Sequence, residues 1–134
     1  MTALGLQLTL KSDPQNLSEV EPFVHGLVKE YQISEHVFGN VLIAVTEAVS
    51  NAMLHGNQSD SNKTVFLATQ KVDNILSFTV EDQGKGFDPA SLPDPTAPEN
   101  ILNPGGRGVF LMEQLADTVS FRDGGRVVQL DFCL

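Results

Sequence analysis

The sequence predicts an α+β fold, a two-layer sandwich with helices on one face of a mixed, mostly antiparallel sheet. Strand-like and helix-like segments are segregated more than alternated, in the order β, α, α, β, β, long loop, α, β, β. Asp73-Asn74 and Gly124-Gly125 are short hairpin turns, each joining two runs of period two. The central helical segment has an apolar stripe of Val41, Val45, Ala48, Val49 and Ala52 that needs a sheet or another helix to cover it.

With 134 residues, 41% of them hydrophobic, the chain fits one domain, 1–134, with a real core. The single cysteine, Cys133, excludes an internal disulfide and suits a reducing cytoplasm. No apolar run approaches the ~20 residues needed to span a bilayer, and no signal peptide is evident. The net charge of −9 disfavours nucleic acid and anionic membranes as partners. A phosphate ligand stays compatible with it if a metal and backbone N–H groups offset the field.

Leu4, Leu6, Leu8 and Leu10 alternate with other residues and predict a first strand. Asp13 and Pro14 form a helix start. Leu17, Val20, Val24, Leu27, Val28 and Tyr31 then recur at helical spacing, and the helix either begins near Ser18 or bends at Pro22. Ser34 caps a second helix over about 35–55, with Gly56 as a left-handed stop. Residues 63–72 and 75–82 form a hairpin. Val109 opens a third helix that runs to about Ala116, and 118–122 with 126–134 form the last hairpin.

Candidate chemistry begins in the second helix. Glu47, Asn51 and His55 lie four residues apart and share one polar stripe. Such a stripe can point a carboxylate, an amide and an imidazole into a cleft, although a solvated helix edge would have the same pattern. In the strand 75–82, period two puts Asp82 on the face of Leu76, Phe78 and Val80. A carboxylate aimed at an apolar layer needs a partner, unless it only caps the turn that follows. Gly84 and Gly86 let the backbone turn and approach a flat ligand. A proline-rich stretch follows, with Pro89, Pro93, Pro95, Pro98 and Pro104, and loops of that length are functional lids or disordered. Gly105-Gly106-Arg107-Gly108 closes it at a helix N-terminus, either a phosphate cradle or a lid hinge.

Taken together, Glu47-x-x-x-Asn51-Ala52-x-x-His55-Gly56, Asp82-x-Gly84-x-Gly86 and Gly106-x-Gly108 resemble the N, G1 and G2 boxes of the Bergerat-fold (GHKL) ATPases. These include gyrase, Hsp90, MutL and histidine kinases. The Asn-Ala-x-x-His-Gly form and the short chain look most like the anti-sigma-factor serine kinases of bacterial partner-switching systems. Box order and spacing match across about residues 40–112, and the flanking elements fit the same family.

The resemblance implies a Bergerat-type fold with an ATP lid at about 88–107, and Mg-ATP as the ligand. Asn51 would coordinate Mg²⁺, Asp82 would accept the adenine amino group, and Gly84 and Gly86 would admit the base. Gly105, Gly106, Arg107 and Gly108 would meet the phosphates. Glu47 would be the general base toward a serine hydroxyl. His55 would support the helix end, and Lys85 has no assigned role. The family usually carries a threonine near the adenine-binding aspartate, where this chain has Arg126.

The implied activity is phosphorylation of a serine on a STAS-like anti-sigma-factor antagonist, with a sigma factor as the other partner, by a cytoplasmic homodimer. A nucleotide-gated binding module without phosphotransfer is the main alternative, and the retained Glu47 argues against it. A detached histidine-kinase catalytic domain is another. It would want an upstream phosphoacceptor histidine, and His25 on a proline-interrupted helix is a poor candidate.

Overall fold

A computed structural model describes residues 5–84 and 107–134, with the side chains of Arg107 and Gly108 left out of the description. The elements are β1 (Gln7–Lys11), α1 (Val20–Tyr31), α2 (Glu35–Asn51), β2 (Thr64–Val72), β3 (Ile75–Glu81), α3 (Arg107–Leu115), β4 (Thr118–Arg122) and β5 (Val127–Cys133). The strands form one sheet in the order β1-β2-β3-β5-β4. Every pairing between neighbours in it is antiparallel, the limiting case of the mostly antiparallel sheet expected.

Local chemistry explains the helix boundaries. Asp13 accepts the Gln15 N–H at 3.1 Å and starts a 3₁₀ segment, Pro14–Glu19, that leads into α1. Pro22 falls in the first turn of α1, where its missing N–H breaks no helical bond, so the helix neither starts after it nor needs to bend there. Ser34 caps α2 by accepting the Val37 N–H at 3.4 Å. Asp73 takes a φ of 54°, which suits the tight turn between β2 and β3.

The core lies between the sheet and α2, with α1 and α3 flanking that helix. Leu76, Phe78 and Val80 of β3 and Val128, Leu130 and Phe132 of β5 are buried on the helix side. Phe78 and Phe132 meet edge to face, with centroids 5.8 Å apart and planes at 88°. Each buried ring contributes about 1.5–3 kcal/mol by leaving water. By length and composition, Glu35–Gly56 would suffice to cross a membrane. Here Val41, Ala44, Val45, Ala48 and Val49 are buried in the core that α2 shares with β3 and β5.

The opposite face of the sheet carries a polar cluster. Asp131 accepts from Ser77 Oγ at 2.6 Å, Thr118 Oγ1 at 2.8 Å and Gln129 Nε2 at 3.0 Å. Burial pushes its carboxyl up, and these donors outweigh that and hold it below the usual range.

Candidate functional site

The turn that follows α2 meets the residue that follows β3, with Gly56 against Asp82. Glu47 sits one turn before Asn51, and both ride on the helix that packs over β3 and β5. Glu47 is half-buried, and burial raises its pKa above the ordinary 4.5. Asn51 is only 9% exposed, and its Nδ2 is buried without a hydrogen-bond partner among the described residues. A buried amide in that state costs free energy unless a ligand completes it.

After Asn51 the helix widens into a π turn, Ala52–Gly56. Such turns often mark functional sites. The Asn57 N–H donates to the Ala52 carbonyl at 2.8 Å, and Ser59 N–H to the Met53 carbonyl at 2.8 Å. The wider turn takes His55 out of the four-residue spacing that aligns Glu47 with Asn51. His55 lies half-buried in it, consistent with a supporting place at the helix end.

The expectation that Gly56 provides a left-handed stop is wrong. The left-handed residues are Gln58 (φ 53°) and Ser59 (φ 59°), and Gly56 is helical. Space, rather than φ, demands glycine there, because a Cβ would overlap the Asp82 carboxylate. Gly84 has a similar reason, since its Cβ would overlap the Gly56 carbonyl.

Asp82, the residue just after β3, is 1% exposed, as the period-two pattern of 75–82 predicted. Its N–H donates to the Arg126 carbonyl at 2.9 Å, and its Oδ1 accepts the Gly84 N–H at 2.9 Å. Arg126 thus anchors the aspartate through its backbone. Its side chain turns out to solvent and lies 3.9 Å from Glu81, an exposed pair of small energetic value.

The structure therefore brings Asp82 and Gly84 against the end of the segment that carries Glu47 and Asn51. Gly86, Gly105, Gly106 and Lys85 lie outside the described residues, as does the expected lid up to residue 106. Arg107 and Gly108 form the first turn of α3, which packs against α2. Sequence reasoning missed Asn57, which is fully buried, with its side chain bonded to Ser12, Thr64 and Gln83. An asparagine beyond a helix end gives no periodic signal of burial.

Residues 10–132 match the family described as the histidine kinase-like ATPase domain. The chain belongs to that family. An anti-sigma F factor of Geobacillus thermodenitrificans is 32% identical over 120 residues, covering 87% of this chain and 80% of the relative. An anti-sigma F factor of Clostridium perfringens is 27% identical, over 87% of this chain and 83% of its own length. The serine-protein kinase RsbW of Staphylococcus epidermidis is 27% identical over 133 residues, covering 93% of this chain and 84% of its own. The α+β sandwich with its helices over an antiparallel sheet is the architecture expected of a histidine kinase-like ATPase domain.

The residues present fit a nucleotide and a magnesium ion. Among the described residues there is no group of three or more His, Cys, Asp or Glu able to hold a metal alone. Mg²⁺ does not require one, since it commonly binds through one or two protein oxygens, substrate phosphates and water. Asn51 offers one such oxygen, its side-chain Oδ1, on a residue that is 9% exposed.

Proposed function

We propose that this protein is an ATP-dependent serine kinase that binds Mg-ATP and phosphorylates a serine of a STAS-like anti-sigma-factor antagonist. The carrying observation is the buried Nδ2 of Asn51, without a hydrogen-bond partner among the described residues, one turn from a Glu47 whose pKa burial raises. A buried N–H donor left for a phosphate oxygen, one turn from a carboxylate whose proton affinity burial raises, suits a phosphate site with a built-in base. The names of the relatives, anti-sigma F factor and serine-protein kinase, support the same reading.

In this account Asp82 accepts a hydrogen bond from the adenine amino group, and Gly84 and Gly86 admit the base. Asn51 would hold Mg²⁺ through its side-chain oxygen, and the ion would offset charge on the phosphates. Gly105, Gly106, Arg107 and Gly108 meet the phosphates at the start of α3, where the helix dipole favours anions. Glu47 accepts the proton of the substrate serine hydroxyl. The serine oxygen bonds to the γ-phosphorus as the bond to the β–γ bridging oxygen breaks, and ADP leaves.

The proposed partners are a sigma factor and the antagonist protein, in the cytoplasm, with the kinase as a homodimer. The test is a phosphoserine assay with Mg-ATP and a STAS-like protein from the same source, run beside Asn51→Ala. The wild type should transfer phosphate, and Asn51→Ala should lose both Mg-dependent ATP binding and transfer. Wild-type protein that binds Mg-ATP but never modifies its antagonist would make it a nucleotide-gated binding module.

A further inference from the structure

Asn57 has 0% exposure, and its amide divides its hydrogen bonds between two tasks. Oδ1 accepts the backbone N–H of Gln83 at 2.8 Å. Nδ2 donates to the Thr64 carbonyl at 2.9 Å and to the Ser12 hydroxyl at 2.6 Å. Gln83 completes a ring, because its side-chain Oε1 accepts the Thr64 N–H at 2.8 Å. Three segments are thereby locked in one circuit: the turn after α2, the start of β2, and the residue after Asp82.

The circuit has a direct consequence for Asp82. That carboxylate lies against Gly56, which precedes Asn57, and the residue that follows Asp82 is the one Asn57 holds. The Asn57–Gln83 bond therefore acts as a strut between the segment carrying Glu47 and Asn51 and the loop carrying Asp82. A buried amide stabilises a core little better than an apolar group of its shape, but it fixes direction when all its bonds are made.

We propose that Asn57 is a positioning residue for base recognition. Through Gln83 and Thr64 it sets the Asp82 carboxylate relative to Asn51, and so sets the preference for adenine over guanine. This inference rests on the reading of the site as an ATP site. Asn57 touches neither nucleotide nor substrate in this account; it acts through Asp82.

Variants of the full chain separate positioning from general support. Asn57→Ala removes the strut. Gln83→Ala opens the ring at an exposed side chain, which keeps the test available if Asn57→Ala does not fold. Gln83→Glu keeps the acceptor for the Thr64 N–H. Ser12→Ala removes the one Asn57 side-chain bond that lies outside the ring. Dissociation constants for Mg-ATP and Mg-GTP are measured by calorimetry, melting by scanning calorimetry, and amide exchange at Asp82–Gly84 in nucleotide-free protein by NMR.

Asn57→Ala should weaken ATP about tenfold, the scale of one lost oriented hydrogen bond, with little change for GTP. The ATP preference therefore contracts, and exchange at Gln83 accelerates. Gln83→Ala should shift both readouts in the same direction, and Gln83→Glu should restore them. Ser12→Ala should lower the melting temperature and leave the ATP preference intact. An unchanged ATP preference in both Asn57→Ala and Gln83→Ala overturns the positioning role, as does an equal loss in Ser12→Ala. A wild-type chain that binds ATP no better than GTP overturns the ATP-site reading itself, and the base-positioning role falls with it.

Discussion

Gly56 lies so close to the Asp82 carboxylate that a single methyl group at Gly56 would overlap it. The end of the helix segment and the end of β3 are thus fitted to each other with no room for a side chain. Gly56→Ala should cost about 1–3 kcal/mol of stability through overpacking. It should also weaken nucleotide binding, because relief of the clash moves Asp82. Urea unfolding and ATP titration together check this. Wild-type stability and affinity in the variant would show that the carboxylate is not held where the site needs it.

Mg-ATP and Mg-ADP should raise the melting temperature by binding the native state alone. At about 100 times the dissociation constant, the gain is roughly 2.7 kcal/mol. GTP should give much less, since it presents a carbonyl where adenine presents its amino group, and the Asp82 carboxylate needs a donor. Equal shifts with the two nucleotides count against Asp82 as the adenine acceptor.

Glu47 gives a pH dependence with a definite sign. Burial raises its pKa above 4.5, so the folded chain favours the protonated form more than the unfolded chain does. The stability this gives is fully present below pH 4.5 and is lost as pH rises through the folded-state value. Glu47→Gln removes that dependence. The melting temperature of Glu47→Gln relative to the wild type should therefore climb as pH rises past 4.5 and then level off. A flat difference across this window would mean that burial does not perturb the carboxylate.

Asp131 behaves in the opposite sense. Burial raises its pKa, but the hydrogen bonds from Ser77, Gln129 and Thr118 outweigh burial and lower it below 3.8. Its stabilisation is present above pH 3.8 and is lost as pH falls through the folded-state value. Asp131→Asn should reduce stability at neutral pH and bring the two proteins together in strong acid. A stability gap that persists unchanged at the acid end would assign the effect to packing.

Most of the fold was legible because its elements carry strong periodic signals. Leu76, Phe78, Val80 and Asp82 alternate on one face as read, and all four are buried. Ser34 and Asp13 cap where their side chains predict. The π turn was not legible, because Ala52–Gly56 has the composition of a continuing helix and its bonding depends on tertiary contacts. The true reason for Gly56 was hidden likewise, since it requires knowing that Asp82 approaches from 26 residues further along. Asn57 gave no sign, because a buried asparagine is specified by partners at Ser12, Thr64 and Gln83 that no local spacing rule connects. Arg126, where the family usually carries a threonine, bonds Asp82 through its carbonyl, and a backbone contact survives a change of side chain.

The most direct test of the kinase account is the effect of Glu47→Ala on binding and on transfer, measured side by side. Glu47 is the base in this account and does not hold the ground-state nucleotide. Removing a carboxylate near phosphates also removes like-charge repulsion, so binding can tighten slightly. Calorimetry with Mg-ATP should give a dissociation constant within about threefold of the wild type, while phosphoserine formation on the antagonist falls by about 10²–10⁴. Loss of ATP binding in Glu47→Ala, or transfer at the wild-type rate, would contradict the assignment of Glu47 as the catalytic base.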